Sequence, residues 1–197
     1  MSSSLVDRFR ESMVMNHGRW HDGTGYDLSL LGEATPEELC QIESLLLAGG
    51  VRDWRDIEAL ASIGTPAAVE RLRRTLGEGD GDRRLALATH AAHLFSEEEL
   101  CGILVPILRE KGIHDGLTGA LLVVEGFHPA PVMQALLEGA RDREGPVAAE
   151  FATMLLFLNG KIGSLDDFSE RPFLLRFQDG DREAVFRELC ERIGAGP

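Results

Sequence analysis

Residues Ser96–Leu108 read SEEELCGILVPIL and begin with a helix-start pattern. Ser96 supplies an N-cap hydroxyl, and Glu99, three residues later, completes a capping box. The apolar residues that follow recur at the spacing i, i+3, i+4, i+7, which places them on one face of a helix. The stretch therefore predicts an α-helix with one buried face.

The same pattern occurs four times, at intervals of 30, 31 and 32 residues, with N-caps at Thr35, Thr65, Ser96 and His128. A Pro directly follows three of these caps, at a position where its missing N–H is tolerated. The residue seven positions after each cap is apolar: Ile42, Leu72, Ile103 and Ala135. This shared register indicates a structural repeat.

A second set of largely apolar segments alternates with the capped helices, near Asp53–Ser62, Asp82–Leu94, Gly116–Gly126 and Pro146–Leu158. Their length and Ala content favour helices over buried strands. Paired helices that repeat at this period are typical of an α-solenoid, because each pair buries its apolar face only against its neighbours.

We therefore predict an all-α chain that forms an α-solenoid of about four stacked helix pairs with N- and C-terminal capping helices. Residues 1–34 are predicted to form a cap helix and a Gly-rich loop, and residues 35–160 the helical repeat core. Residues 161–197 are predicted to form a C-terminal capping segment within the same globular unit. Both ends depart from the repeat, as terminal repeats usually do.

The paired helices, the Thr-Pro starts and the shared register over Thr35–Leu158 resemble the HEAT and armadillo-like α-solenoid family. The resemblance implies an architecture, since such solenoids serve many unrelated functions. Small acidic proteins of this kind also resemble immunity proteins, which neutralise toxins. That second resemblance implies a protein partner that the chain inhibits.

The chain carries a formal charge of −13, and both of its halves are acidic. Residues 1–100 hold 10 basic and 18 acidic side chains, and residues 101–197 hold 10 and 15. A protein that binds nucleic acid or an anionic membrane needs a basic surface, so we expect neither partner. An acidic field instead attracts a basic protein.

The three cysteines, Cys40, Cys101 and Cys190, form no CxxC pair and lie within amphipathic patterns. This usage favours a reducing, cytoplasmic compartment. The sequence shows neither a secretory signal nor an apolar run that could span a membrane. It also lacks a P-loop, a nucleophile elbow and a complete calcium loop, so we expect no catalytic residues, metal or cofactor.

We predict a non-enzymatic protein–protein interaction module, most simply an inhibitor or immunity protein that binds a basic partner such as a toxin domain. The candidate contact residues occupy surface positions of the capped helices or lie three residues before a cap. They are Glu70, Arg71, Arg74, Gln134, Glu138, His93 and Glu125.

Two alternatives remain open from the sequence. A HEAT-like enzyme or lyase would act on a small molecule or metal through two histidine pairs, His17 with His21 and His90 with His93. A structural adaptor in a larger complex would use the same surfaces as an inhibitor. Helix 97–110 also carries apolar residues beside its buried stripe, which either a chain terminus or a partner would cover.

Overall fold

The structure, a computed structural model, describes residues 4–196, apart from the side chains of Trp20, His114, Phe168 and Asp179. Over these residues the regular structure is entirely helical and contains no strand, which confirms that the chain is all-α. The described residues form thirteen α-helices: α1 (Leu5–Ser12), α2 (His17–His21), α3 (Ser29–Glu33), α4 (Pro36–Gly49), α5 (Trp54–Ile63), α6 (Pro66–Glu78), α7 (Gly81–His90), α8 (Glu97–Glu110), α9 (Leu117–Gly126), α10 (Ala130–Asp142), α11 (Gly145–Leu158), α12 (Arg171–Asp179) and α13 (Arg182–Ile193). None of the described helices is long and apolar enough to cross a membrane.

Three of the four predicted N-caps are confirmed. Thr35 and Ser96 each form a complete capping box at the start of α4 and α8, and the Thr65 hydroxyl accepts from a backbone N–H of α6. The fourth prediction is wrong by one residue, because Pro129 and not His128 is the N-cap of α10. The His128 ring lies instead within hydrogen-bond distance of the Val124 carbonyl at the end of α9.

Two boundaries differ from the sequence prediction for the first half of the chain. The segment predicted as a Gly-rich loop, His17–Tyr26, begins with the short helix α2, and the Asn16 side chain caps α2 by accepting from the Arg19 N–H. The helix predicted to reach Leu94 ends at His90, because Ala91 leaves helical backbone angles. A short 3₁₀ turn, Ala92–Leu94, follows it.

The chain divides into two compact units, Met1–Phe95 and Ser96–Pro197, which we call the first and second unit. In the first unit α4 packs against α5 and α6, and α5 packs against α6 and α7. In the second unit α8 packs against α9 and α10, and α11 packs against α9, α10 and α12. Alternate helices therefore contact each other within each unit, as well as consecutive ones.

The core of each unit is built from the predicted apolar stripes. The residues seven positions after the predicted caps are all at most 2% exposed: Ile42, Leu72, Ile103 and Ala135. Two helices of the second unit pack closely where Gly139 of α10 faces the fully buried Phe151 ring of α11. A Cβ atom at Gly139 would lie 2.6 Å from that ring, so only glycine lets the two helices approach this closely.

The additional apolar residues of α8 are unevenly covered. Cys101 and Val105 are half-buried, whereas Pro106 is exposed although it lies within the helix. Of these three residues, only Pro106 is exposed to solvent.

Arginine side chains satisfy the carbonyl groups that helices leave unpaired at their C-termini. Arg19 donates to three carbonyls at the end of α1. Arg143 donates to the Arg109 and Lys111 carbonyls after α8, at 2.7 and 2.8 Å. Arg182 donates to two carbonyls at the end of α10. Each arginine is thereby bonded to a helix other than its own, and the planar guanidinium suits two acceptors at once.

We predict that Gly139→Ala lowers the free energy of unfolding by about 1–3 kcal/mol, because the added methyl group overpacks the contact with Phe151. Urea denaturation measures this change. Gly102→Ala in α8 is the matched control, since a Cβ there meets nothing within 4 Å, and it should stabilise the helix by up to about 1 kcal/mol. Equal stability of the two variants would contradict the predicted packing.

We predict that Arg143→Lys costs about 1–2 kcal/mol of stability, because an ammonium group cannot reproduce the forked contact with two carbonyls. Thermal and urea denaturation test this. Arg187→Lys is the control. Among the described residues Arg187 makes only an exposed ion pair with Glu183, so its replacement should change stability by less than about 0.5 kcal/mol. If the two substitutions cost the same, the capping role of Arg143 is wrong.

Candidate functional site

The predicted contact residues of the first unit lie mainly on α6. Glu70 and Arg74 are exposed and paired, with 3.0 Å between Arg74 Nε and Glu70 Oε1. Arg71 is half-buried and its guanidinium lies 3.9 Å from Glu78. His93 is exposed in the 3₁₀ turn after α7. Exposed ion pairs contribute about 0–1 kcal/mol, so these charged groups can exchange their partners for groups on another protein at little cost.

The predicted contact residues of the second unit are less exposed. Glu138 of α10 is half-buried and accepts from Arg109 Nε of α8 at 2.9 Å and from Gln134 at 3.3 Å. The hydrogen bond from Arg109 lowers the pKa of Glu138 below its usual range, and the hydrogen bond from Gln134 adds to this effect. Glu125 is half-buried, whereas Gln134 is exposed. Glu138 therefore connects two helices of its own unit as well as facing solvent.

The two histidine pairs of the enzymatic alternative are placed very differently. His17 and His21 are exposed on α2 with their ring centroids 6.3 Å apart, and His21 Nδ1 lies 3.6 Å from Asp22. His90 ends α7, while His93 lies outside that helix. Among the side chains that the structure describes, no group of three or more His, Cys, Asp or Glu is placed to hold a metal ion.

His90 belongs to a cluster with Trp54 and Glu58 that the sequence did not indicate. Its ring stacks on the Trp54 indole, with the centroids 5.2 Å apart and the planes 19° from parallel. Its Nδ1 atom lies 3.6 Å from a Glu58 carboxylate oxygen. The Arg55 guanidinium also contacts the indole, 4.9 Å from the ring centroid. The half-buried tryptophan is thus fixed by an imidazole and a guanidinium.

Two adjoining surface clefts meet at this tryptophan. Both are lined by Trp54, Asp82 and Ala86, and we call them together the Trp54 cleft. One arm extends past Asp80 and Arg83 at the start of α7, and the other ends at His90. The volumes are about 310 and 340 Å³, at the lower end for ligand pockets. Each arm therefore has room for a side chain of a partner.

A hydrogen-bond network centred on the buried Asp56 carboxylate connects the start of α5 to an earlier segment of the first unit. The Asp56 carboxylate is fully buried and accepts from the Tyr26 hydroxyl at 2.8 Å, from the Arg52 guanidinium at 3.0 and 3.1 Å, and from the Arg52 N–H at 2.9 Å. Arg55 is also buried and donates to the Thr24 carbonyl at 2.9 Å. The segment that precedes α3 is thereby bonded to the start of α5, where Trp54 lies.

The network changes the acid–base properties of its members. Burial raises the pKa of Tyr26 far above its usual range, and the hydrogen bond to the Asp56 carboxylate adds to this rise. Burial alone would also raise the pKa of Asp56, but the hydrogen bonds from Arg52 and Tyr26 outweigh it and lower that pKa. Asp56 is therefore ionised and Tyr26 neutral near pH 7, which suits a structural connection and not proton transfer.

The sequence interpretation missed Trp54, Glu58 and Asp82 as site residues. The only local signal is the segment Arg52-Asp53-Trp54-Arg55-Asp56, in which charged residues surround a tryptophan at a helix start. Asp82 lies 28 positions further along the chain, and only the packing of α5 against α7 brings it to the same cleft. The arrangement offers an aromatic ring and carboxylates for binding.

We predict that Asp56→Asn lowers the free energy of unfolding by about 3 kcal/mol near pH 7, because it leaves buried donors without a full set of acceptors. Since folding lowers the pKa of Asp56, its contribution is complete above the ordinary Asp pKa of about 3.9 and is lost as the pH falls further. The difference in free energy of unfolding between wild type and variant should therefore decrease as the pH falls below that value.

Urea denaturation between pH 7 and pH 3 measures this gap. Asp22→Asn, at an exposed carboxylate of the same unit, is the control and should change stability by less than about 0.5 kcal/mol at any of these pH values. A gap for Asp56→Asn that stays constant down to pH 3 would contradict the assigned pKa direction.

Searches of protein-family models, of curated proteins and of solved structures found no match to this chain.

Proposed function

We propose that this chain is a non-enzymatic protein-binding module whose partner is a basic protein, and that it acts as an inhibitor of the immunity type. The observation that carries the proposal is the distribution of charge. Met1–Phe95 contains 10 basic and 15 acidic side chains, and Ser96–Pro197 contains 10 and 18. Each unit is therefore acidic by itself, and an acidic field of this extent accelerates and orients the approach of a basic protein.

The proposal includes the finer architecture that the sequence predicts, an α-solenoid of stacked helix pairs. Contacts between alternate helices support it within each unit: α4 with α6 and α5 with α7 in the first, α8 with α10 and α9 with α11 in the second. A solenoid presents equivalent helices side by side and so offers an extended surface to one partner. We place the module in a reducing compartment, the cytoplasm, because its three cysteines are free thiols.

The proposed contact residues are charged or polar and exposed or half-buried. They are Glu70, Arg71 and Arg74 of α6 with His93 in the first unit, and Gln134 and Glu138 of α10 with Glu125 in the second. Glu70 is the clearest candidate, because it is exposed and its only described ion pair is to an exposed arginine on the same helix. A lysine or arginine of a partner can replace that pairing without disturbing a buried group.

We expect the immobilised chain to capture one stoichiometric basic protein at low salt from a lysate of the cells that encode it, and to release it at high salt, because screening weakens charge steering. Glu70→Lys should then weaken binding of the purified partner at least tenfold in calorimetry. Glu150→Lys in α11 is the matched control for the change in net charge. Capture of no basic partner, or equal loss in both variants, would contradict the proposal.

A further inference from the structure

The charges around the Trp54 cleft are mostly compensated within the chain. Asp53 accepts from Arg55, with 2.8 Å between the charged groups. The Asp80 carboxylate caps α7 and lies 3.6 Å from the Arg83 guanidinium. Arg52 lines the same arm, and its guanidinium is bonded to the buried Asp56 carboxylate. Each of these arginines is therefore matched with a carboxylate of its own.

Asp82 is the exception. It is exposed, it lines both arms of the cleft, and within residues 4–196 it has no hydrogen-bond or ion-pair partner. At the far end of the second arm, His90 Nδ1 lies 3.6 Å from a Glu58 carboxylate oxygen. The uncompensated charge of the cleft is therefore negative, and it lies beside an indole ring.

We propose that the Trp54 cleft receives an arginine side chain of the basic partner, with the guanidinium against the part of the Trp54 indole that His90 and Arg55 leave open to the cleft and its charge paired with Asp82. This inference rests on the proposed function for the identity of the partner. A tryptophan ring is the strongest aromatic acceptor for a cation. A guanidinium fits better than an ammonium group, because it is planar, stacks on aromatic rings and pairs with a carboxylate through two parallel N–H groups.

The cleft is suited to this role because its parts are held in place before a partner arrives. The indole is fixed by His90 and Arg55, and the start of α5 is fixed by the buried network of Tyr26, Arg52 and Asp56. Asp82 lies in the first turn of α7, which packs against α5. Little conformational freedom of the cleft is lost on binding, and such preorganisation favours affinity.

The first test uses a probe that does not depend on the partner. N-acetyl-arginine amide is titrated into the full chain at constant ionic strength, and the indole N–H resonance of Trp54 is followed by NMR. The Trp54→Phe variant, which lacks this resonance, assigns it. We expect a saturable shift with a Kd on the order of tens of millimolar, in keeping with one exposed cation–π contact and one ion pair. N-acetyl-citrulline amide, which has the same shape without the charge, should give no saturable shift.

Variants decide whether Asp82 is the charged group involved. Asp82→Asn should weaken binding of the arginine probe at least fivefold, whereas Asp166→Asn, at an exposed carboxylate of the second unit, should leave it unchanged. No saturable shift in wild type, an equal shift with citrulline, or full binding by Asp82→Asn would each overturn the proposal. Both variants are at exposed positions, and circular dichroism verifies that they fold.

The second test uses the captured partner and separates this inference from the proposed function. Asp82→Asn and Trp54→Phe should each weaken partner binding at least fivefold, and Asp166→Asn should not. If the partner binds both cleft variants as tightly as wild type, the inference is wrong while the proposed function stands. If no basic partner exists but the arginine probe binds, the proposed function fails and the cleft remains a guanidinium site without the assigned partner.

Discussion

The structure depends on the burial of one narrow apolar stripe along each capped helix. Helices of 13 or 14 residues such as α4, α6, α8 and α10 are at best marginally stable alone in water. They persist here because residues such as Leu72 and Ile103 are removed from solvent by the neighbouring helices. The contact of Gly139 with Phe151 shows how closely two helices then approach.

Short helices also create many unpaired carbonyl groups, and arginines of later or neighbouring segments satisfy several of them. Arg19, Arg143 and Arg182 each bond the C-terminal end of a helix other than their own. Arginine suits this use better than lysine, since lysine has no planar fork.

The pairing of charged side chains within the first unit also connects the fold to the proposed function. The buried Asp56 carboxylate takes up the guanidinium of Arg52 and at the same time fixes the start of α5. Trp54 is thereby held at the surface near Asp82, a carboxylate that pairs with no arginine among the described residues. A structural requirement of the first unit, the pairing of a buried charge, thus produces a rigid and negatively charged cleft for a cationic side chain.

The sequence by itself determined the all-helical class, three of the four caps and the residues that face the core, because capping and apolar spacing act within one turn or two of a helix. It did not determine the extent of α7, the presence of α2, or the cap at Pro129, where local backbone geometry and side-chain hydrogen bonds shift the boundary by a few residues. The contact residues chosen on α6 and α10 follow from helical periodicity alone and stay a prediction.

The Trp54 cleft was decided only by tertiary structure. Trp54, Asp82 and His90 lie up to 36 positions apart, and each has an ordinary local setting: two occupy the first turn of a helix and the third ends one. No local sequence pattern indicates that α5 packs against α7, because that contact results from the burial of apolar faces of both helices against each other. The chemistry of the cleft arises when helix packing brings these distant side chains together.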